Sequence, residues 1–315
     1  MGTAEVDTAD DRSSVSPDPC AEPLPAAASG QRAPDAVPAV PPHPVMVYRH
    51  RLLTRLSHWI TVVCLVILVG SGLQIFNAHP ALYWGDRSDR DRPLLALTAQ
   101  PTESGDLRGV TEILGHSVDT TGVLGVSTVD GEPVARGFPA WATLPSTQWL
   151  AMGRRWHIFF AWVFVLNGLV FALWAVLSRH LTRDLVPSGR DVARIRQSLW
   201  DHLRFRLPAG ERHYNVLQKI AYLSVIGGLG PLIVLTGLAM SPWADAVVPI
   251  LPAAFGGRQS ARTVHFVATF AFLGFTAMHL FMVAATGVLN NVRAIVTGWS
   301  RVIEEGGRDE QGQGD

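Results

Sequence analysis

Four uncharged apolar stretches, Leu56–Phe76, Trp156–Leu177, Ile220–Met240 and Val264–Leu289, restrict what this chain can fold into more than any other feature. Each is long enough, as a helix rising 1.5 Å per residue, to cross roughly 30 Å of hydrocarbon. Housing all four in a water-soluble core would demand an apolar interior far beyond what 315 residues ordinarily build, and 48% hydrophobic against 17% charged residues points the same way. The expected fold is all-α: an integral membrane four-helix bundle with a long external loop between helices 1 and 2.

The flanking sequence divides around those helices. Residues 1–44 are rich in Ala, Pro, Ser and Asp without apolar period, and read as a disordered tail lacking the apolar segment of a signal peptide. Residues 45–300 form the membrane domain, with residues 77–155 as its external insertion, and 301–315 are a second tail. Within the insertion, residues 103–132 alternate Val, Thr, Gly and Asp. That stretch fits short strands or a small lobe, and the segment is left open between a docking surface for a partner and a poorly ordered insertion. Pro231, following Gly227, Gly228 and Gly230, should loosen the third helix, which carries no histidine and is expected to pack against the other three and border a quinone cleft.

Basic residues near helix ends set orientation. The stretch from Ser178 to Lys219 carries Arg179, Arg183, Arg190, Arg194, Arg196, Arg204, Arg206, Arg212 and Lys219 against fewer acids, so it should be cytoplasmic, with both termini. Arg49, Arg51 and Arg55 agree. The insertion then lies outside. Equal numbers of basic and acidic residues, 26 each, and no basic run interleaved with aromatics argue against a nucleic acid partner.

Two cysteines, Cys20 and Cys64, cannot form an iron-sulfur cluster or a four-ligand zinc site, and no CxxCH is present for covalent haem attachment. Cys64 reads as a small core residue. Histidines are different. Of eleven, four fall within the apolar spans: His58, His157, His265 and His279. Ionisable groups at membrane depth mark function, and neutral imidazole is a common haem-iron ligand. With helices alternating in direction, His157 and His265 share the outer level. His279 stands 14 residues after His265, about 21 Å deeper and within about 40° of the same face, level with His58. The pairs His157/His265 and His58/His279 thus suit two b-type haems stacked across the bilayer.

Gly72 faces the same way as His58 at the outer level and Gly168 lies near the direction of His157 at the inner level, so each is a candidate clearance for a porphyrin edge. Arg55, Arg155 and Arg262 precede proposed ligands at the membrane boundary, where they could meet haem propionates or simply snorkel. Trp59 and Trp156 suit interface anchors, and Met240, Met278 and Met282 are not needed as ligands. His43, His50, His79, His116, His180, His202 and His213 read as solvated.

The run Arg55, Leu56, Ser57, His58, Trp59, Ile60, the Arg155, Trp156, His157 opening of helix 2, and Arg262, Thr263, Val264, His265 with His279 fourteen residues later resemble the bacterial cytochrome b561, nickel-iron hydrogenase b-type cytochrome and formate dehydrogenase gamma superfamily. The resemblance covers about residues 47–300. Asn77 to Asp86 and Gly256, Gly257, Arg258 look like its thiosulfate reductase cytochrome b subunit-like branch. It implies the same four histidine ligands, two haem b groups, quinone or quinol as exchangeable substrate near the cytoplasmic haem, the bacterial inner membrane, and an outer-face molybdopterin oxidoreductase as partner. The long outer segment and proline-rich tail depart from the short members.

The expectation is therefore an electron-transfer subunit without catalytic residues of its own, there being no evident nucleophile, general base or nucleotide loop. Two rivals are a self-sufficient haem b quinone oxidoreductase with a diffusible donor such as superoxide, and a proton-relaying transporter. A relay would favour carboxylates at the midplane, and these spans contain none.

Overall fold

The computed structural model describes residues 43–179 and 216–304, with scattered positions between 186 and 204. The tails beyond 42 and 304, Cys20, His180, His202, His213 and most of the basic stretch before Lys219 lie outside the described residues.

Among the described residues there are four long helices: α1 (Leu52–Phe76), α2 (Leu150–Leu177), α3 (Val216–Ala239) and, after two short helices α4 (Pro242–Val247) and α5 (Ile250–Ala254), α6 (Arg258–Ala285). All four are long and apolar enough to span a membrane. Helix α2 begins six residues before the expected apolar run, because Arg154 and Arg155 are accommodated in its first turns. The fourth apolar stretch is divided. Helix α6 stops at Ala285 and Gly287, at φ +106°, redirects the chain into α7 (Val288–Thr297).

Packing has the character of lipid-solvated helices. α1 packs on α2 and α3 on α6. Contacts are made by small or hydroxylic side chains, with Ser71, Thr236, Ala239, Ser260 and Ala261 fully buried and Cys64 nearly so, while large residues such as Phe159, Leu169 and Leu177 point outward at 62%, 61% and 75% exposure. Small residues at helix contacts allow close backbone approach, and outward aliphatics need an apolar solvent. In α3 the turn Ser224–Leu229 is π-helical, and Gly230 N–H bonds Val225 O five residues back. This widened turn directly precedes Pro231, whose ring would otherwise crowd the carbonyl four residues earlier.

The fold is not purely helical. The insertion expected as a long loop contains an antiparallel sheet of β2 (Ala81–Leu82), β3 (Leu95–Pro101), β4 (Leu107–Ile113) and β5 (His116–Asp119), and a hairpin of β6 (Val126–Val129) and β7 (Glu132–Ala135). Residues 103–132 form short strands. The hairpin seats closely on the sheet at Gly109, where an added Cβ would lie 2.9 Å from Val126 N. Arg136, 5% exposed, ties the lobe's last segment together by donating to Phe138 O, Ser146 O and Thr143 Oγ1.

The lobe is keyed to the helices. Asn77 accepts from Phe138 N at 2.6 Å and donates to Phe138 O at 3.1 Å, Thr263 Oγ1 donates to Tyr83 O at 2.7 Å, and Leu144 N donates to Gly70 O at 3.0 Å. At the other end of the chain, β1 (His43–Tyr48) pairs antiparallel with β8 (Trp299–Glu304), with Tyr48 edge-on to Trp299 at 5.2 Å. This ribbon takes in His43, Pro44 and residues 301–304, positions that the sequence reading places in the tails.

Candidate haem site

The structure brings the four intramembrane histidines together as two pairs. His157, near the start of α2, faces His265, near the start of α6, with ring centres 6.4 Å apart and planes 64° apart. His58, near the start of α1, faces His279, near the end of α6, again at 6.4 Å, with planes 59° apart. Helix α6 serves both levels because its two histidines are fourteen residues, close to four turns, apart.

The separation has a direct chemical meaning. A metal bonded in line to two imidazole nitrogens at about 2 Å each, with each ring centre about 1.15 Å beyond its nitrogen, sets ring centres about 6.3 Å apart. Both pairs fit that spacing. Among the described residues no group of three His, Cys, Asp or Glu side chains is gathered around a common point. A metal held between either pair therefore has two protein ligands, leaving the other positions for a macrocycle, as in a bis-imidazole haem.

The surroundings of His157 and His265 repeat one arrangement on two different helices. On α1, Ser71 Oγ lies 3.1 Å from His157 Nδ1, as does Leu68 O, and a Cβ added to Gly72 would meet the His157 ring at 3.3 Å. On α3, Thr236 Oγ1 lies 3.0 Å from His265 Nδ1, Ile233 O also bonds that imidazole, and a Cβ added to Gly237 would meet the ring at 3.4 Å. Each ring is thus anchored at Nδ1, leaving Nε2 as the nitrogen available to iron. The second pair differs. Among the described residues Nδ1 of His58 is buried without a hydrogen-bond partner, and His279 is instead stacked by Phe275 at 6.2 Å with rings 12° apart.

The remaining sequence candidates fall in varied places. Gly72 lies beside the His157 ring, so its nearest neighbour is an imidazole. Gly168 faces open space, with nothing within 4 Å of an added Cβ. Arg55 donates to Val296 O at the β1–β8 end of the molecule. Arg155 is exposed on α2. Arg262 is half-buried, donating to His79 O at 2.5 Å with its guanidinium 5.2 Å from the Phe76 ring centre. His79, read from sequence as solvated, has its Nε2 buried without a partner, and its ring lies 5.6 Å from Tyr83. Burial, then the positive charges of Arg262 and Arg90, hold its pKa below the usual imidazole value.

Ser71, Thr236 and Gly237 were not among the sequence candidates. Their signal is a hydroxyl followed at once by glycine, Ser71-Gly72 and Thr236-Gly237, once in each of the two histidine-supporting helices. Asn167 is a further unforeseen contact, donating from α2 to Ser57 O and Thr61 Oγ1 on α1 near His58.

Four apolar helices that present paired imidazoles to one another make a membrane-embedded haem protein of the b type the class that fold and site define. Residues 49–298 match the prokaryotic cytochrome b561 family, and the chain belongs to it: an integral membrane protein of a haem b, electron-carrying family. Among curated relatives, the chain is similar to a protein of Azospira oryzae named "Putative protein-methionine-sulfoxide reductase subunit YedZ1", 28% identical over 231 residues that make up 73% of this chain and 87% of the relative.

Proposed function

We propose that the chain is the membrane-anchoring di-haem cytochrome b subunit of an oxidoreductase complex, passing electrons between the quinone pool and a molybdopterin enzyme at the outer face. His157 and His265 would hold iron at the outer level, and His58 and His279 would hold it at the inner level. Haem b bound at each pair supplies the one-electron carrier. The protein supplies the axial nitrogens, their orientation and an apolar surround. The single observation that carries this reading is the equal 6.4 Å spacing of the two histidine pairs.

The two levels are about 21 Å apart along α6, so neither site alone reaches both faces. The keyed lobe of residues 77–149 gives the outer end a folded surface beside the His157/His265 pair, which suits an enzyme partner. The relative's name, a reductase subunit, supports a subunit role. β1 and β8, which among the described residues precede the first span and follow the last, lie at the inner face, in keeping with the ribbon that joins them. The two stretches carrying the finer resemblance to the thiosulfate reductase branch meet in space: Gly85 O accepts from Gln259 N and Ser260 N, and Gly85 N donates to Ser260 Oγ at 2.7 Å.

The test is haem stoichiometry by pyridine haemochrome assay on purified full-length protein and on each His→Ala variant. Two haems per chain are expected. His157 and His265 variants should each lose one, the same one, and His58 and His279 variants the other. A purified chain with no reduced-minus-oxidised b-type absorbance would overturn the reading.

A further inference from the structure

The repeated arrangement around His157 and His265 carries more than ligand identity. Ser71 Oγ donates its own proton to Ile67 O at 2.6 Å, and Thr236 Oγ1 donates its proton to Leu232 O at 2.7 Å. Each hydroxyl therefore turns a lone pair, not a proton, toward the neighbouring Nδ1. That fixes both imidazoles as Nδ1–H tautomers, and Leu68 O is a second acceptor for the His157 proton at 3.1 Å. A carbonyl, a hydroxyl three residues on and a glycine after it recur as Leu68, Ser71, Gly72 and Ile233, Thr236, Gly237, within runs that also share Val69 with Val234 and Leu73 with Leu238. A Cβ at Gly72 would press on Cε1 of His157 at 3.3 Å, and one at Gly237 would just touch Cε1 of His265 at 3.4 Å.

At the other level this device is missing. Among the described residues His58 Nδ1 is buried without a hydrogen-bond partner, and the neighbour of His279 is an aromatic ring. Accepting a hydrogen bond from a ligand's far N–H makes that imidazole a stronger electron donor, which favours ferric over ferrous iron.

We propose that Ser71 and Thr236 are positioning residues that set the redox potential of the His157/His265 centre, and that this centre is the lower-potential of the two. The proposal rests on the two-centre reading above. Electrons then fall from the lobe end toward the His58/His279 end unless a partner drives them the other way.

The experiment is a redox titration of full-length protein in detergent, followed by the b-type absorbance bands, with His157→Ala and His58→Ala used to assign each step. In the wild type the step lost in His157→Ala should be the lower. Ser71→Ala and Thr236→Ala should each move that step to higher potential and leave the other in place, the double variant should move it further, and Thr236→Ser, which keeps the hydroxyl, should titrate as wild type. Both hydroxyls bond within their own helices, so alanine is tolerated by the backbone. If an alanine variant sheds that haem altogether, retention in Thr236→Ser supports the positioning role and loss there as well overturns it. Unshifted steps in the alanine variants, or equal shifts of both, also overturn it. Absence of any b-type band in the wild type would instead defeat the parent reading.

Discussion

Phe275 lies one turn before His279 on α6 and stacks on its imidazole, ring centres 6.2 Å apart and planes 12° apart. This contact is the counterpart, at the His58/His279 level, of the hydroxyl anchors at the other level. It orients the ring without engaging its nitrogens. An aromatic pair of this kind contributes about 0.5–1.5 kcal/mol. Phe275→Ala should weaken haem retention at that centre alone by a few-fold to about tenfold, measured by haem transfer to apomyoglobin with the two centres distinguished by their absorbance bands.

Gly168 offers a second test. An added side chain there meets no protein atom, so the space belongs either to lipid or to a porphyrin edge. On the two-haem proposal, Gly168→Leu should expel the haem assigned to His58 and His279 and leave the one assigned to His157 and His265, read as a fall from two haems per chain to one. Retention of both would assign that face to lipid.

Gly257 sits at φ +112°, and a Cβ there would press on Asp86 and lie 2.6 Å from the Gly85 carbonyl. Gly257→Ala should cost at least about 1–3 kcal/mol from the backbone conformation alone. Its main effect should be to separate the start of α6 from the Gly85 turn. Limited proteolysis of the variant should cleave between residues 85 and 95 much faster than in the wild type, while cleavage elsewhere is unchanged.

His79 makes the stability of the lobe junction depend on pH. Its folded-state pKa is depressed, by burial first and by Arg262 and Arg90 next, so the unfolded chain takes up a proton more readily than the folded one. Stability is therefore lost as pH falls below the unfolded value of about 6.5. Thermal unfolding in detergent should drop between about pH 7 and about pH 5, and His79→Gln should flatten part of that drop.

The four spans were legible because lipid demands long uncharged runs and nothing else in the chain competes with them. The histidine pairs were legible because a fourteen-residue interval on one helix fixes both depth and face. Ser71 and Thr236 were not, since hydroxyls in apolar helices commonly bond a carbonyl one turn back and both of these do so. Their second role depends on α1 meeting α2 and α3 meeting α6, which periodicity alone does not specify. The starts of α2 and α6 precede the apolar runs for a related reason. Counting only uncharged residues excludes Arg154, Arg155, Arg258 and Arg262, which continue the helices beyond the apolar run. In the lobe, strand pairing depends on contacts such as Gly109 against the β6 backbone. Short polar strands carry little periodic signal of that kind.

The ribbon of β1 and β8 has a mechanical implication. His43 pairs with Glu304 and Tyr48 with Trp299, so the outermost rungs are also those nearest the two ends of the polypeptide. Tension applied between those ends opens the ladder one rung at a time, the weak unzipping geometry, until it reaches Tyr48, Trp299 and the bond from Arg49 N to Gly298 O. Single-molecule pulling should accordingly record a low-force release of this clasp before any span leaves the bilayer.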